Sequence, residues 1–168
     1  DSTGDWSSDV CSSDLIDYNI ENVTNKINSG IELLGGWDSF IKPGMKVLLK
    51  VNLIGPKPPE SAAVTHCEFV RALTRILKQK GCIVWIGDSA GGAIAGIAPT
   101  PQSLEVSGLK KVAQEENAEI KNFDKEGTID TGGKCSFLNR LYLAKPLFDA
   151  DFIISLPKLK THSGCIYT

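Results

Sequence analysis

The 168-residue chain holds five cysteines and no CxxC pair among them, and its two histidines, His66 and His162, stand far apart without an HxH or HExxH spacing. Such scattered thiols argue against a disulfide framework and against a zinc or iron–sulfur centre inside this stretch, so a reducing cytoplasm is the default compartment and no metal ligand is expected in the fragment. Two histidines and an aspartate admit a metal in principle, but no local spacing supports one. Neither a GxGxxG nor a GxxxxGK[ST] loop is present, which leaves any nucleotide signal weak. No apolar run is long enough to cross a membrane and no signal peptide is visible, so no membrane partner is expected.

Net charge of either sign is also small. Eighteen basic and 20 acidic side chains give a formal net charge of −2. Residues 1–15 distort that balance. "DWSSDVCSSDL" has no apolar period and resembles the translation of a common short-read sequencing adapter; the alternative is a Ser-rich disordered tail. Setting residues 1–15 aside removes four aspartates, leaving 16 acids against 18 bases and a net charge of +2. A near-neutral chain gives no reason to expect nucleic-acid binding. We therefore treat 1–15 as a non-native, disordered tail and 16–168 as one α/β domain, expected to be incomplete at both ends. With the native N-terminus taken as missing, an export signal stays open.

What is there reads as alternating strands and helices. "KVLLKVNLI" (46–54), entered through Pro43-Gly44, has the continuous apolar character of a buried strand. "THCEFVRALTRILKQKG" places Thr65 and Glu68 as a capping box, Phe69, Val70, Leu73, Ile76 and Leu77 as one apolar stripe, and Gly81 as the C-terminal stop. "CIVWIGDS" (82–89) is the next strand, so the three make a right-handed βαβ unit. A helix over 19–34 ends at Gly35-Gly36. A second helical stretch starts with Thr100 and Pro101 as cap and first-turn residues, and breaks near Ser107-Gly108. "AEIKNFD" is a third strand, 127–145 a hairpin or edge excursion, and "DADFIISL" a further buried strand. The class is α/β, with a mainly parallel, doubly wound (Rossmann-like) sheet and helices on both faces.

Ligands in such sheets sit beyond the carboxyl ends of the strands. Those ends carry Lys50 and Asn52, then Thr65 and His66; Asp88 and Ser89, then Gly91 and Gly92; and Lys158, Lys160, Thr161 and His162 in "LPKLKTH". Each has a plain reading beside a functional one. Lys50 reads as a rim residue or a solvent-facing lysine, Asn52 as a turn acceptor, Thr65 mainly as a helix cap, and His66 as exposed or facing the site. "GDSAGG" reads as an ordinary tight turn or as a cradle of backbone N–H groups. Lys158 and Lys160, two apart on an extended segment, point the same way and suit a phosphate or carboxylate; the plain alternative is a solvated basic loop. Asp88 and His162 are the candidate catalytic residues, able to move a proton.

"VLLKVNLI", "THCEFVRALTRILKQKGCIVWIGDS", "GGAIAGIAPT", "LEVSGLKKVA" and "DADFIISLPKLKTH", in this order, resemble the prokaryotic family known as domain of unknown function 362. The family favours proline where this chain has Cys67, a replaceable position at a helix start. The resemblance implies an iron–sulfur-associated protein of anaerobic-type metabolism, with a [4Fe–4S] module beyond Thr168 and an electron-transfer partner; no cluster ligand maps onto this fragment. The reading from sequence is a domain binding a small anionic substrate or cofactor. The alternatives are a redox-independent isomerase, racemase or transferase using Lys and His, or a non-catalytic scaffold.

Overall fold

The computed structural model describes residues 18–90, 99–132 and 140–161. Strand β1 (Lys46–Lys50) is the centre of the sheet. Its middle residues Val47, Leu48 and Leu49 have no solvent exposure, because other strands flank it on both sides and packing covers both faces. Helix α1 (Ile20–Leu33) precedes it, capped by the Asn19 side chain, which accepts from the Glu21 and Asn22 amides at 2.9 and 3.4 Å. Helix α2 (Cys67–Gln79) then crosses to strand β2 (Ile83–Asp88), which pairs in parallel with β1.

The apolar stripe of α2 behaves as its period requires. Val70, Leu73, Ile76 and Leu77 are buried, each worth about 1.5–3 kcal/mol of transfer free energy. Gly81 follows the helix with φ +81, a left-handed conformation that suits glycine. Helices α3 (Thr100–Val106) and α4 (Leu109–Glu115) meet at Ser107-Gly108, where Gly108 has φ +77. They lead to β3 (Glu119–Asn122), parallel to β2. Strands β4 (Thr128–Asp130) and β5 (Tyr142–Ala144) form the expected antiparallel hairpin. The short helix α5 (Pro146–Asp149) then feeds β6 (Phe152–Ser155).

The main sheet runs β3-β2-β1-β6, and every pair in it is parallel. From β1 the chain steps outward to β2 and β3, then returns to place β6 on the opposite flank of β1. The strand order therefore reverses between β1 and β6, the feature that opens a crevice at their carboxyl ends.

Three expectations need correction. Thr65 does not cap α2: His66 occupies the N-cap, its Nδ1 accepting from the Glu68 amide at 3.2 Å, while the Thr65 hydroxyl is engaged elsewhere. The Glu68 carboxylate turns to Arg71 at 2.9 Å, so the capping box does not form. Thr100 is the first helical residue after an N-cap at Pro99, and its hydroxyl likewise faces away from its own helix turn. Strand β6 is only half-buried: Phe152 and Ile154 pack on the core, while Ile153 is 40% exposed.

An ionic cluster unannounced by the sequence pattern ties α2 to the end of α4. Arg71 reaches Glu68, Glu115 and Glu116 at 2.6–2.9 Å, and Arg75 reaches Glu116 at 2.8 Å. Because Arg71 is itself mostly shielded from water, this network holds the helix pair more firmly than exposed pairs would.

Candidate functional site

The rim begins where β1 ends. The Val51 amide donates to the Gly87 carbonyl at 3.2 Å and the Leu156 amide to the Lys50 carbonyl at 2.8 Å, so β2 and β6 still flank the chain as it leaves the sheet. One residue on, the Asn52 amide donates to the Thr65 hydroxyl at 2.8 Å, and that hydroxyl donates to the Leu156 carbonyl at 2.7 Å. The Thr65 amide in turn donates to the Asn52 carbonyl at 3.1 Å. The Asn52 side-chain amide donates to the Ala63 carbonyl at 3.0 Å, closing the proline-rich loop upon itself. Thr65, only 4% exposed, is thus a pin between the ends of β1 and β6.

Asp88 ends β2 and is almost fully buried. Its Oδ2 accepts from the Leu53 amide at 2.7 Å, and its Oδ1 lies 3.1 Å from Lys50 Nζ. Lys50 also donates to the Val51 carbonyl at 3.1 Å, with its side chain 40% exposed. Burial pushes the Asp88 carboxyl above its ordinary value of 3.8, while the Lys50 ammonium and the Leu53 and Ser89 amides oppose that rise. Both carboxylate oxygens are occupied by donors from this chain. The geometry makes Asp88 a clamp on the Lys50 ammonium.

His66 stacks flat on Tyr18, with ring centroids 3.4 Å apart and planes within 5°. Burial pulls its imidazole below the usual 6.5; Glu68 opposes this and the nearby Lys158 ammonium adds to it. With Nδ1 accepting the Glu68 amide, the neutral ring carries its proton on Nε2 and offers a single donor. Lys158 is half-buried, as is Lys160, and Leu159 between them is 77% exposed, the alternation expected of an extended segment. Thr161 is exposed and Ser89 half-buried. Gly91, Gly92 and His162 lie outside the described residues.

The structure therefore brings Lys50 to Asp88, Asn52 to Thr65 and Leu156, and His66 into the field of Lys158. Sequence reasoning missed the support behind them. The Ala90 amide donates to the Thr100 hydroxyl at 2.8 Å, which donates to Asp124 Oδ2 at 2.5 Å, fixing the start of the loop after β2 to the end of β3. Asp124 follows the strand "EIKN" at its carboxyl end, the same positional signal that singled out Asp88. Tyr18 gave no such signal.

A four-cysteine cluster does not fit the described residues. Cys67 is half-buried at the start of α2, and Cys82 is buried with its sulfur 3.7 Å from the Lys42 carbonyl. Burial raises both thiols above their ordinary value, the reverse of what a thiolate ligand needs. Among the described residues no three His, Cys, Asp or Glu side chains converge as a metal site, and no helix is long and apolar enough to cross a membrane.

A groove of about 610 Å³ lies beside the polar rim, between α1 and β6. Its walls are apolar, and neither Lys50, Asp88 nor His66 lines it. The polar rim and this apolar groove are thus separate features.

Residues 47–168 match the family model described as domain of unknown function (DUF362). The chain is 35% identical over 152 residues to a protein of Synechocystis sp. described as thylakoid-associated, an alignment that covers 90% of this chain and 44% of that protein. The chain thus spans less than half the length of that relative. No solved structure matches it.

Proposed function

This chain belongs to the DUF362 family, and from that premise we propose that it binds a small anionic ligand, a phosphate or carboxylate, in the crevice where β1 and β6 part. The observation that carries this reading is the Thr65 hydroxyl, held between the Asn52 amide and the Leu156 carbonyl across the strand-order reversal. That pin fixes the spacing of two lysine-bearing segments: Lys50 on β1, and Lys158 with Lys160 after β6.

Each residue has a distinct part in this reading. Lys50, oriented by Asp88, supplies one ammonium to the anion, and Lys158 supplies a second. His66, kept neutral, adds an N–H donor from Nε2 without demanding a counter-charge. Asp88 positions Lys50, because both of its oxygens already accept hydrogen bonds. His162 remains the candidate for proton transfer where chemistry occurs. The iron–sulfur context implied by the family resemblance is assigned to polypeptide outside this chain, where a cluster would exchange electrons with a ligand held at this rim.

Calorimetric titration with inorganic phosphate and with succinate at low ionic strength tests the site. Lys50→Met and Lys158→Ala are each expected to weaken binding of the better probe at least tenfold, with unchanged circular dichroism. Unchanged affinity in both variants, or no binding of either probe to the parent chain, refutes the reading. The redox part has its own check: iron and sulfide should be found in a full-length family protein carrying this domain, and a purified sample of the present chain should be colourless.

A further inference from the structure

Strand β6 has the composition of an interior strand and the position of an edge. Successive apolar residues, Phe152-Ile153-Ile154, suit a strand covered on both faces. Its register partner in β1, Leu48, has no exposure, yet Ile153 beside it is 40% exposed. Among the described residues β6 pairs with β1 alone. The strand itself holds no charged residue or proline, the usual devices that protect an open edge.

The groove lies against the same strand. Val23, Ile27 and Ile31 of α1, Leu73 of α2, and Phe152 and Ile154 of β6 line it. One face of β6 therefore continues into an apolar trough roofed by α1. A strand laid beside β6 at the usual spacing of about 4.8 Å would aim alternate side chains into that trough.

We propose that the outer edge of β6 and this groove receive one more parallel strand, supplied by polypeptide that the Synechocystis relative carries outside the aligned region. That region is 44% of the relative, so more than half of that protein is left to furnish the strand. The sheet's parallel pairing favours such an occupant over a second copy of this chain. Two copies related by a twofold axis across β6 would join antiparallel edges, whereas a segment continuing the fold adds its strand in parallel through a crossover. The inference stands apart from the anion reading, since it concerns backbone pairing and apolar packing.

Hydrogen exchange read by mass spectrometry tests it on two proteins. One is this 168-residue chain; the other is the Synechocystis relative with its aligned region replaced by this chain. Peptides over β2, an interior strand in either protein, report that both are folded. With β2 protected in both, the peptide spanning Phe152–Ser155 is expected to exchange at least tenfold more slowly in the chimera. Binding of an apolar dye by the short chain should be lost as well. Equal exchange of that peptide in the two proteins overturns the proposal. So does a short chain that light scattering shows to be a dimer with β6 already protected, which assigns the edge to a second copy. A chimera whose β2 is unprotected also counts against it, because the donated polypeptide then fails to complete this sheet. Phosphate affinity enters none of these readouts, so failure of the anion site leaves the outcome unaffected.

Discussion

The hydroxyl of Thr65 donates to the carbonyl of Leu156, 91 residues further along the chain, at 2.7 Å. It simultaneously accepts from the Asn52 amide, so one buried oxygen satisfies two backbone groups at the point where two parallel strands end. Backbone groups leaving a sheet must find partners or water, and here a side chain supplies them where water is excluded. The same contact ties the segment that follows Lys50 to the one that precedes Lys158.

Replacing Thr65 with valine keeps the shape and removes both hydrogen bonds. The Asn52 N–H and the Leu156 C=O are then left unpaired, at about 1–3 kcal/mol for each group that stays buried. Thr65→Val is expected to lower the denaturation midpoint by an amount corresponding to about 2–4 kcal/mol, with Thr65→Ser recovering most of it. Urea unfolding of the three proteins measures this, and a Thr65→Val chain as stable as the parent would refute the pin.

Asp88 yields a prediction of opposite sign to that of an ordinary paired carboxylate. Its folded pKa is raised by burial, so folding favours the protonated form. The contribution is greatest below the unfolded value of 3.8 and declines as pH rises through the folded value. Asp88→Asn keeps an oxygen to accept the Leu53 amide and removes the buried charge. The stability difference between Asp88→Asn and the parent is therefore expected to move in the variant's favour as pH rises from 3.5 to about 7. Lys50→Met removes the main opposing cation and should carry the Asp88 pKa higher still, readable from its carboxyl carbon shift by NMR.

Strands β1 and β2 and helix α2 were legible because their signals are local: apolar runs bounded by glycine and proline, and a stripe at helical spacing. Thr65 was misread for the same reason. A capping box is a four-residue pattern, and nothing within four residues announces a carbonyl 91 positions away. Asp88 was legible as a carboxylate at a strand end, but its partner, the Leu53 amide, is a backbone group carrying no sequence signature. Strand β6 was correctly placed and wrongly buried, since burial depends on a neighbour that composition alone does not locate.

His66 gives an acid limb to stability. Its folded pKa lies below 6.5, so its contribution is present above the unfolded value and lost as pH falls through the folded one. Burial is the main cause of that lowering, and a proton on Nδ1 would also remove the acceptor for the Glu68 amide at the start of α2. His66→Asn supplies a good cap that does not titrate there. The variant is expected to lose less stability than the parent between pH 7.5 and 5, as measured by denaturation midpoints at each pH. Identical losses in both would mean that His66 is not the titrating cap.

Gly87 is required inside β2 for a reason unrelated to turns. A Cβ at this position would stand 2.7 Å from the Phe123 ring, 2.9 Å from the Lys121 carbonyl oxygen and 3.0 Å from the Lys121 Cβ. Two of these obstacles belong to Lys121, its register partner in β3, so a shift that relieves one tightens another. Gly87 also lends its carbonyl to the Val51 amide, and it immediately precedes Asp88, so any displacement is passed to the rim. Overpacking of this kind costs about 1–3 kcal/mol. Gly87→Ala is expected to destabilise the chain by that amount and to weaken phosphate binding, whereas Gly30→Ala, where nothing lies within 4 Å of the added carbon, should leave binding unchanged and stability no lower. Thermal unfolding and phosphate titration of the two variants side by side provide the check: a Gly87→Ala chain with parental stability would show that β3 can yield at Lys121 and the chain after it at Phe123.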